Sequence, residues 1–167
     1  MFERGDYDAI VIGAGFGGMY ALHRLRDDLG LRVRVYERGT DVGGTWYWNR
    51  YPGARCDVES MFYSYSFSEE LEQEWEWTER FPPQPEILAY ARHVADRFDL
   101  RRDIAFGTSV TAASFERSGN RWLVETDRGE HVTAPFLITT VGCLSASRVP
   151  DIPGLDGFAG ETYHTGR

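Results

Sequence analysis

Three glycines set between a short apolar run and an amphipathic stretch constrain the fold of this chain more than any other feature. Residues 8–12 (DAIVI) form an apolar, partly β-branched run of the kind buried in a parallel sheet. Gly13, Gly15 and Gly18 follow at once as GxGxxG. Gly18, Leu22, Leu25 and Leu29 recur at intervals of four, three and four, which predicts one face of a helix that stops at Gly30. Residues 32–37 (RVRVYE) read as a second strand, so the segment is a βαβ unit with parallel strands. In such a turn the first glycine makes the tight bend, the second lets a diphosphate approach the backbone, and the third lets helix pack on strand. The helix N-terminus adds unpaired N–H groups and the positive end of its dipole.

A glycine turn alone can serve packing only, and Glu37 is the residue that points to a ligand. It stands at the end of the second strand, 24 positions after Gly13. A carboxylate there can accept hydrogen bonds from a ribose diol and would repel a ribose 2′-phosphate. The pattern by itself does not separate FAD from NAD.

At 167 residues the chain can bury roughly 70% of its unfolded surface, enough for one core. Against 18 Lys and Arg stand 26 Asp and Glu, a net charge of -8 that argues against nucleic acid or an anionic membrane as partner. Only Cys56 and Cys143 could form a disulfide, and a disulfide framework is not indicated. The acidic start, MFERGDYDAIVIGAG, lacks the pattern of a signal peptide, and no apolar run reaches the ~20 residues of a membrane span. A cytoplasmic protein is the expectation.

Beyond the βαβ unit, residues 39–67 are too long for an ordinary connection and too rich in Gly and aromatics to be inert. Ser68 is placed to cap a short acidic helix over residues 69–77. Pro85 suits the first turn of a helix whose Ile87, Ala91, Val94 and Phe98 share a face, and this helix should return the chain to the sheet. Residues 109–134 alternate strand-like runs with turns, predicting an antiparallel meander, and FLITTVG (136–142) predicts one more buried strand. Residues 143–167 read as a linker, with the domain boundary near Gly142. His23 and His93 fall on predicted helices as polar-face residues, and no spacing points to a metal site.

The segment GGTWYWNRYPGARCDVES (43–60) sets Trp46, Tyr47, Trp48 and Tyr51 among glycines, arginines and Asp57. Tyr51, Pro52, Gly53 and Ala54 suit a type II turn. If the chain leaves it extended, Arg55 and Asp57 point the same way. On one reading the aromatics are core and Arg55 pairs with Asp57 at the surface. On the other, the flat side chains and the Gly43-Gly44 backbone flank an isoalloxazine ring, with Asp57 a charge near its reacting end. Tyr63, Tyr65 and Phe67 alternate with serines, which predicts a half-buried strand.

VIGAGFGG with Glu37, the 43–60 segment, FLITTVGCLS and FAGETYHTGR together resemble the Baeyer-Villiger monooxygenases over nearly the whole chain. Phe158, Gly160 and His164 are in register with the opening of that family's FxGxxxHxxxWP pattern, and the chain ends where Trp-Pro should follow. The resemblance implies an α/β, Rossmann-like FAD-binding domain, with a meander insertion, over residues 1–142. Residues 143–167 would lead to an NADP-binding domain absent from this chain. It implies that NADPH reduces FAD, that the reduced flavin takes up O₂, and that the peroxyflavin attacks a ketone to give an ester or lactone. The cofactor contacts it implies are Gly13, Gly15, Phe16, Gly18, Glu37, Arg38, Gly44, Thr45, Trp46, Asp57, Tyr63 and Val110. Its catalytic candidates are Asp57, which would hold an arginine supplied from outside this chain, and His164, which would couple domain movement to turnover. Because the later segments are missing, the chain alone is expected to bind FAD weakly or not at all and not to turn over NADPH. A related N- or S-oxygenase and a noncatalytic dinucleotide-binding module are the alternatives.

Overall fold

The computed structural model describes residues 6–166, so the first five residues of the acidic start and Arg167 lie outside it. β1 (Ala9–Ile12) runs into the glycine turn, α1 (Phe16–His23) follows, and β2 (Val33–Glu37) lies parallel to β1 with Ala9 opposite Val33. After α2 (Thr45–Trp48), α3 (Glu69–Glu74) and α4 (Gln84–Arg97) comes β3 (Ile104–Phe106), which joins the free side of β2 in parallel. The antiparallel meander is β4 (Val110–Glu116), β5 (Arg121–Thr126) and β6 (His131–Ala134). β7 (Phe136–Thr139) then returns to lie parallel beside β1, giving the sheet order β3-β2-β1-β7.

The side-chain alternation of the parallel strands sorts the core into two layers. Ala9, Val11, Val33 and Val35 face one way and pack with Met19, Leu22, Ala91 and Val94 of the helices. Ile10 and Tyr36 face the other way, onto Val124 and Ala134 of the meander. The meander is therefore a cover for the second face of the parallel sheet. The Tyr36 hydroxyl reaches across to Glu130 at 2.9 Å, and burial with this bond pushes its pKa well above the usual phenol range.

Several expectations meet the structure closely. Ser68 Oγ accepts the Leu71 N–H at 3.2 Å and caps α3. Pro85 lies in the first turn of α4, whose Ile87, Ala91 and Val94 are buried. The Ala54 N–H donates to the Tyr51 carbonyl at 3.1 Å, and Gly53 has φ +80°, as a type II turn requires.

Four expectations are corrected. The predicted helical stripe fails at Leu29, which is 64% exposed. The helix widens to a π-turn over Arg24–Asp28, where the Leu29 N–H donates to the Arg24 carbonyl five residues back, and the extra residue turns Leu29 off the buried face. Residues 63–67 form no strand: Ser60–Tyr63 is a 3₁₀ turn, and Tyr63, Tyr65 and Phe67 join an aromatic cluster around Phe16 and Tyr20. β7 is only half-buried, with Phe136 55% exposed, because it is the edge of the sheet. His23 is not on a polar face. Its ring stacks on Phe67 at 4.4 Å and Nδ1 meets Asp27 at 2.8 Å.

The π-turn gives a prediction. Leu22→Ala should lower unfolding free energy by about 2–5 kcal/mol, whereas Leu29→Ala should change it by less than about 0.5 kcal/mol. Urea denaturation of the two variants measures this, and equal losses would contradict the rotated face.

Candidate functional site

The carboxyl ends of β1 and β2 form a corner in which backbone replaces side chains. Gly13 has φ +99°, and a Cβ there would stand 2.9 Å from the Thr140 carbonyl oxygen. A Cβ on Gly18 would fall 1.8 Å from the Gly13 carbonyl oxygen, so α1 starts in direct contact with the end of β1. A second loop meets this one. The Gly43 N–H donates to the Ala14 carbonyl at 3.0 Å, and Gly44 has φ +54° with its Cβ direction aimed at Gly15 Cα, 2.9 Å away. Two glycine turns thus touch, and a Cβ at Gly13, Gly18 or Gly44 would collide with the backbone of the other residues of the corner.

Glu37 holds the corner together. Its side chain belongs to a residue only 5% exposed, one carboxylate oxygen accepting the Ala14 N–H at 2.7 Å and the other the Gly39 N–H at 2.6 Å. Each oxygen keeps a further lone pair, so the same carboxylate can still accept a ligand hydroxyl. From the other side, the Thr140 N–H donates to the Ile12 carbonyl at 2.9 Å, and its hydroxyl lies 2.8 Å from that oxygen and 3.0 Å from the Gly13 oxygen. Thr140 was not legible as a site residue, because its role depends on β7 returning beside β1. Asp41 ties the second loop down, its carboxylate bonded to Arg92 and Arg101 at 2.7 Å each. Burial would raise the Asp41 pKa, but the two guanidinium hydrogen bonds outweigh it and hold the carboxyl below its usual range.

The aromatic segment divides into buried and exposed members. Trp46 is 8% exposed and packs with Cys56, Ile87 and Leu88, and its ring meets Tyr63 edge-on at 5.6 Å. Its carbonyl accepts from the Gln84 side chain. Thr45, at the start of α2, is half-buried beside Gly44. Burial raises the Tyr63 hydroxyl above the usual phenol range. Trp48 and Tyr51 are exposed, with the Arg38 guanidinium over the Trp48 ring at 4.6 Å. The core reading therefore describes Trp46 and not Trp48 or Tyr51.

Arg55 and Asp57 both project outward, since Ala54 and Cys56 before and between them are buried, but they do not pair. Arg55 instead bonds Glu79 at 2.9 Å and the Phe81 carbonyl at 3.0 Å. Asp57 is exposed and has no hydrogen bond or ion pair among the described residues. Phe16 sits at the corner against Tyr63. Val110 lies on the meander side, in the layer of Ile10 and Tyr36, where the Thr108 N–H bond to the Glu37 carbonyl at 2.9 Å brings its strand to the end of β2. His164 is not brought to the corner by its hydrogen bonds. Its Nδ1 accepts the Gly166 N–H at 3.0 Å, which leaves Nε2 as the donor to the Arg148 carbonyl at 3.2 Å.

This fold and corner define a Rossmann-like domain, and a family model described as NAD(P)-binding Rossmann-like domain matches residues 11–74. The homologues of the chain are Baeyer-Villiger monooxygenases and related oxygenases. A Baeyer-Villiger monooxygenase of Pseudooceanicola batsensis is 53% identical over 96% of this chain and 30% of its own length. Phenazine N-monooxygenase of Lysobacter antibioticus is 48% identical over 98% of this chain and 30% of its own length. The solved OTEMO complex with FAD and NADP superposes with a TM-score of 0.87 at 48% identity, covering 99% of this chain and 31% of that one. The chain thus spans about 30% of the length of the relatives it matches.

Glu37→Gln should remove one of the two carboxylate acceptors and leave a buried backbone N–H unpaired. An unfolding free energy lower by about 1–3 kcal/mol is expected in chemical denaturation. A variant as stable as the parent would show that the carboxylate does not fasten the corner.

Proposed function

We propose that this chain forms part of the FAD-binding domain of an NADPH- and O₂-dependent monooxygenase that converts ketones to esters or lactones. The observation that carries the reading is the double glycine corner, with Glu37 beneath it, in a chain about half identical to Baeyer-Villiger monooxygenases. The fit to a dinucleotide is physical: the backbone at Gly13, Gly15, Gly18 and Gly44 carries no side chain to hold a diphosphate off, and the start of α1 offers unpaired N–H groups there.

In this proposal residues 1–142 are the FAD-binding unit and residues 143–167 lead toward an NADP-binding domain. Glu37 accepts the ribose hydroxyls while keeping its two backbone bonds, and Arg38 and Val110 border the same end of β2. Phe16, Thr45, Trp46 and Tyr63 form the wall of the flavin site, and the packing of the three aromatic rings fixes its shape before any ligand arrives. When bound, FAD supplies the electron transfer from NADPH to O₂. Asp57, exposed and unpaired among the described residues, pairs with an arginine from outside this chain and sets its position toward the reacting oxygen. His164 acts at the junction between domains. A cytoplasmic setting belongs to the same reading. It is supported by two cysteines that are both free, and among the described residues no helix is long and apolar enough to cross a membrane.

One observation favours a second reading, oxygenation at nitrogen: the phenazine N-monooxygenase is nearly as similar as the ketone-oxidising relative. The test supplies the protein that carries this chain with NADPH, ¹⁸O₂ and cyclohexanone. The expected product is the lactone with one ¹⁸O atom, the other going to water as one NADPH is oxidised. Asp57→Ala should lower lactone formation roughly tenfold or more with the flavin absorbance retained. An aromatic N-oxide formed from a nitrogen heterocycle, with no lactone from the ketone, would replace the first reading by the second.

A further inference from the structure

We infer that the Tyr65 hydroxyl is a positioning group for the start of α1, fixing the peptide plane through which the Gly17 N–H faces a bound dinucleotide phosphate. The inference deepens the dinucleotide reading above and rests on it.

The first bond inside the helix is from the Met19 N–H to the Gly15 carbonyl at 3.0 Å. The N–H groups of Phe16, Gly17 and Gly18 come before it and belong to the unpaired donors of a helix N-terminus. Two of these three residues are glycines, which have no side chain to hold them and the widest backbone freedom of any residue. A rigid row of donors therefore needs an anchor from elsewhere.

Tyr65 provides one. Its hydroxyl donates to the Phe16 carbonyl oxygen at 2.5 Å. The peptide group is planar and trans, so the Phe16 carbonyl and the Gly17 N–H lie in one plane and point in opposite directions. Anchoring the oxygen sets the direction of the N–H. Tyr65 is itself held: its backbone N–H donates to the Tyr90 hydroxyl oxygen at 2.8 Å, and Tyr90 is 1% exposed on α4. The Phe16 ring packs on both, with centroids 5.4 Å from Tyr65 and 6.1 Å from Tyr90. Burial pushes the Tyr65 pKa far above the usual phenol range, which keeps the hydroxyl protonated as a donor. A continuous path thus runs from α4 through Tyr90, the backbone at residue 65 and the Tyr65 hydroxyl to the peptide at the tip of the glycine turn.

The test is Tyr65→Phe, which keeps the ring and removes the hydroxyl, with Tyr90→Phe as a second variant that removes the acceptor behind it. Nitrogen-15 relaxation of the chain without ligand should show the order parameters of Gly17 and Gly18 falling from about 0.85 toward about 0.6, while those of Ile10 and Val11 in β1 stay unchanged. Titration with FAD, read by flavin fluorescence, should show a dissociation constant raised roughly tenfold, the size of one hydrogen bond. A folded Tyr65→Phe chain with unchanged order parameters at Gly17 and Gly18 would overturn the inference. So would a loss spread evenly over the sheet, which would mark Tyr65 as structural only. An unsubstituted chain that binds FAD too weakly to titrate leaves the decision on Tyr65 to the order parameters, whereas tight binding of NAD with none of FAD would overturn the flavin reading and not the role of Tyr65.

Discussion

The contact between Gly18 and the carbonyl of Gly13 governs the geometry of everything around it. A helix that begins this close to the end of its strand leaves no room for a Cβ at its third residue, where such an atom would overlap the carbonyl oxygen at 1.8 Å. The close approach brings α1 onto the face of β1 and β2, where Met19 and Leu22 complete the core. It also leaves the first N–H groups of the helix facing outward over the glycine turn, in place of side chains. One steric constraint therefore yields both a packed layer and a row of unpaired donors.

Such a corner is held by polar bonds from three directions. Glu37 fastens the turn to the loop that follows β2, Thr140 fastens it to the edge strand β7, and Asp41 with Arg92 and Arg101 fastens the second glycine loop to α4 and the turn before β3. The two buried bonds to Glu37 contribute modestly one by one, but leaving one unmade is expensive, and that asymmetry makes the arrangement specific. The aromatic cluster of Phe16, Tyr63, Tyr65 and Tyr90 closes the remaining side.

Much of this was legible in the sequence because local rules acted without interference. The glycine spacing, the strand ending in Glu37, the Ser68 cap, the type II turn at Tyr51 and the meander each depend on a few neighbouring residues. The errors came where tertiary packing overrode the local pattern. The π-turn rotated Leu29 into solvent although its spacing matched a regular helix. The alternation of Tyr63, Tyr65 and Phe67 mimicked a strand, yet those rings are placed by contacts with Phe16 and Tyr20 rather than by a ladder. β3, three residues long, gave too short a signal to be read at all. At the site, the sequence left open whether Arg55 pairs with Asp57, and the fold gives Arg55 to Glu79, 24 positions away. Thr140 and Tyr65 lay beyond sequence reasoning because each acts on a residue more than forty positions away.

The central claim is that the paired glycine turns are the place where a flavin dinucleotide binds. The most direct measurement is a titration of the nitrogen-15-labelled chain with FAD, following backbone amide shifts, since this maps a site even when binding is weak. The account predicts saturable changes concentrated at Gly13, Gly15, Gly17 and Gly18, at Glu37 and Gly39, and at Gly43 to Thr45, with the tail beyond Gly142 little affected. Saturable changes confined to another surface, or tight binding of NAD at this corner with none of FAD, would contradict it.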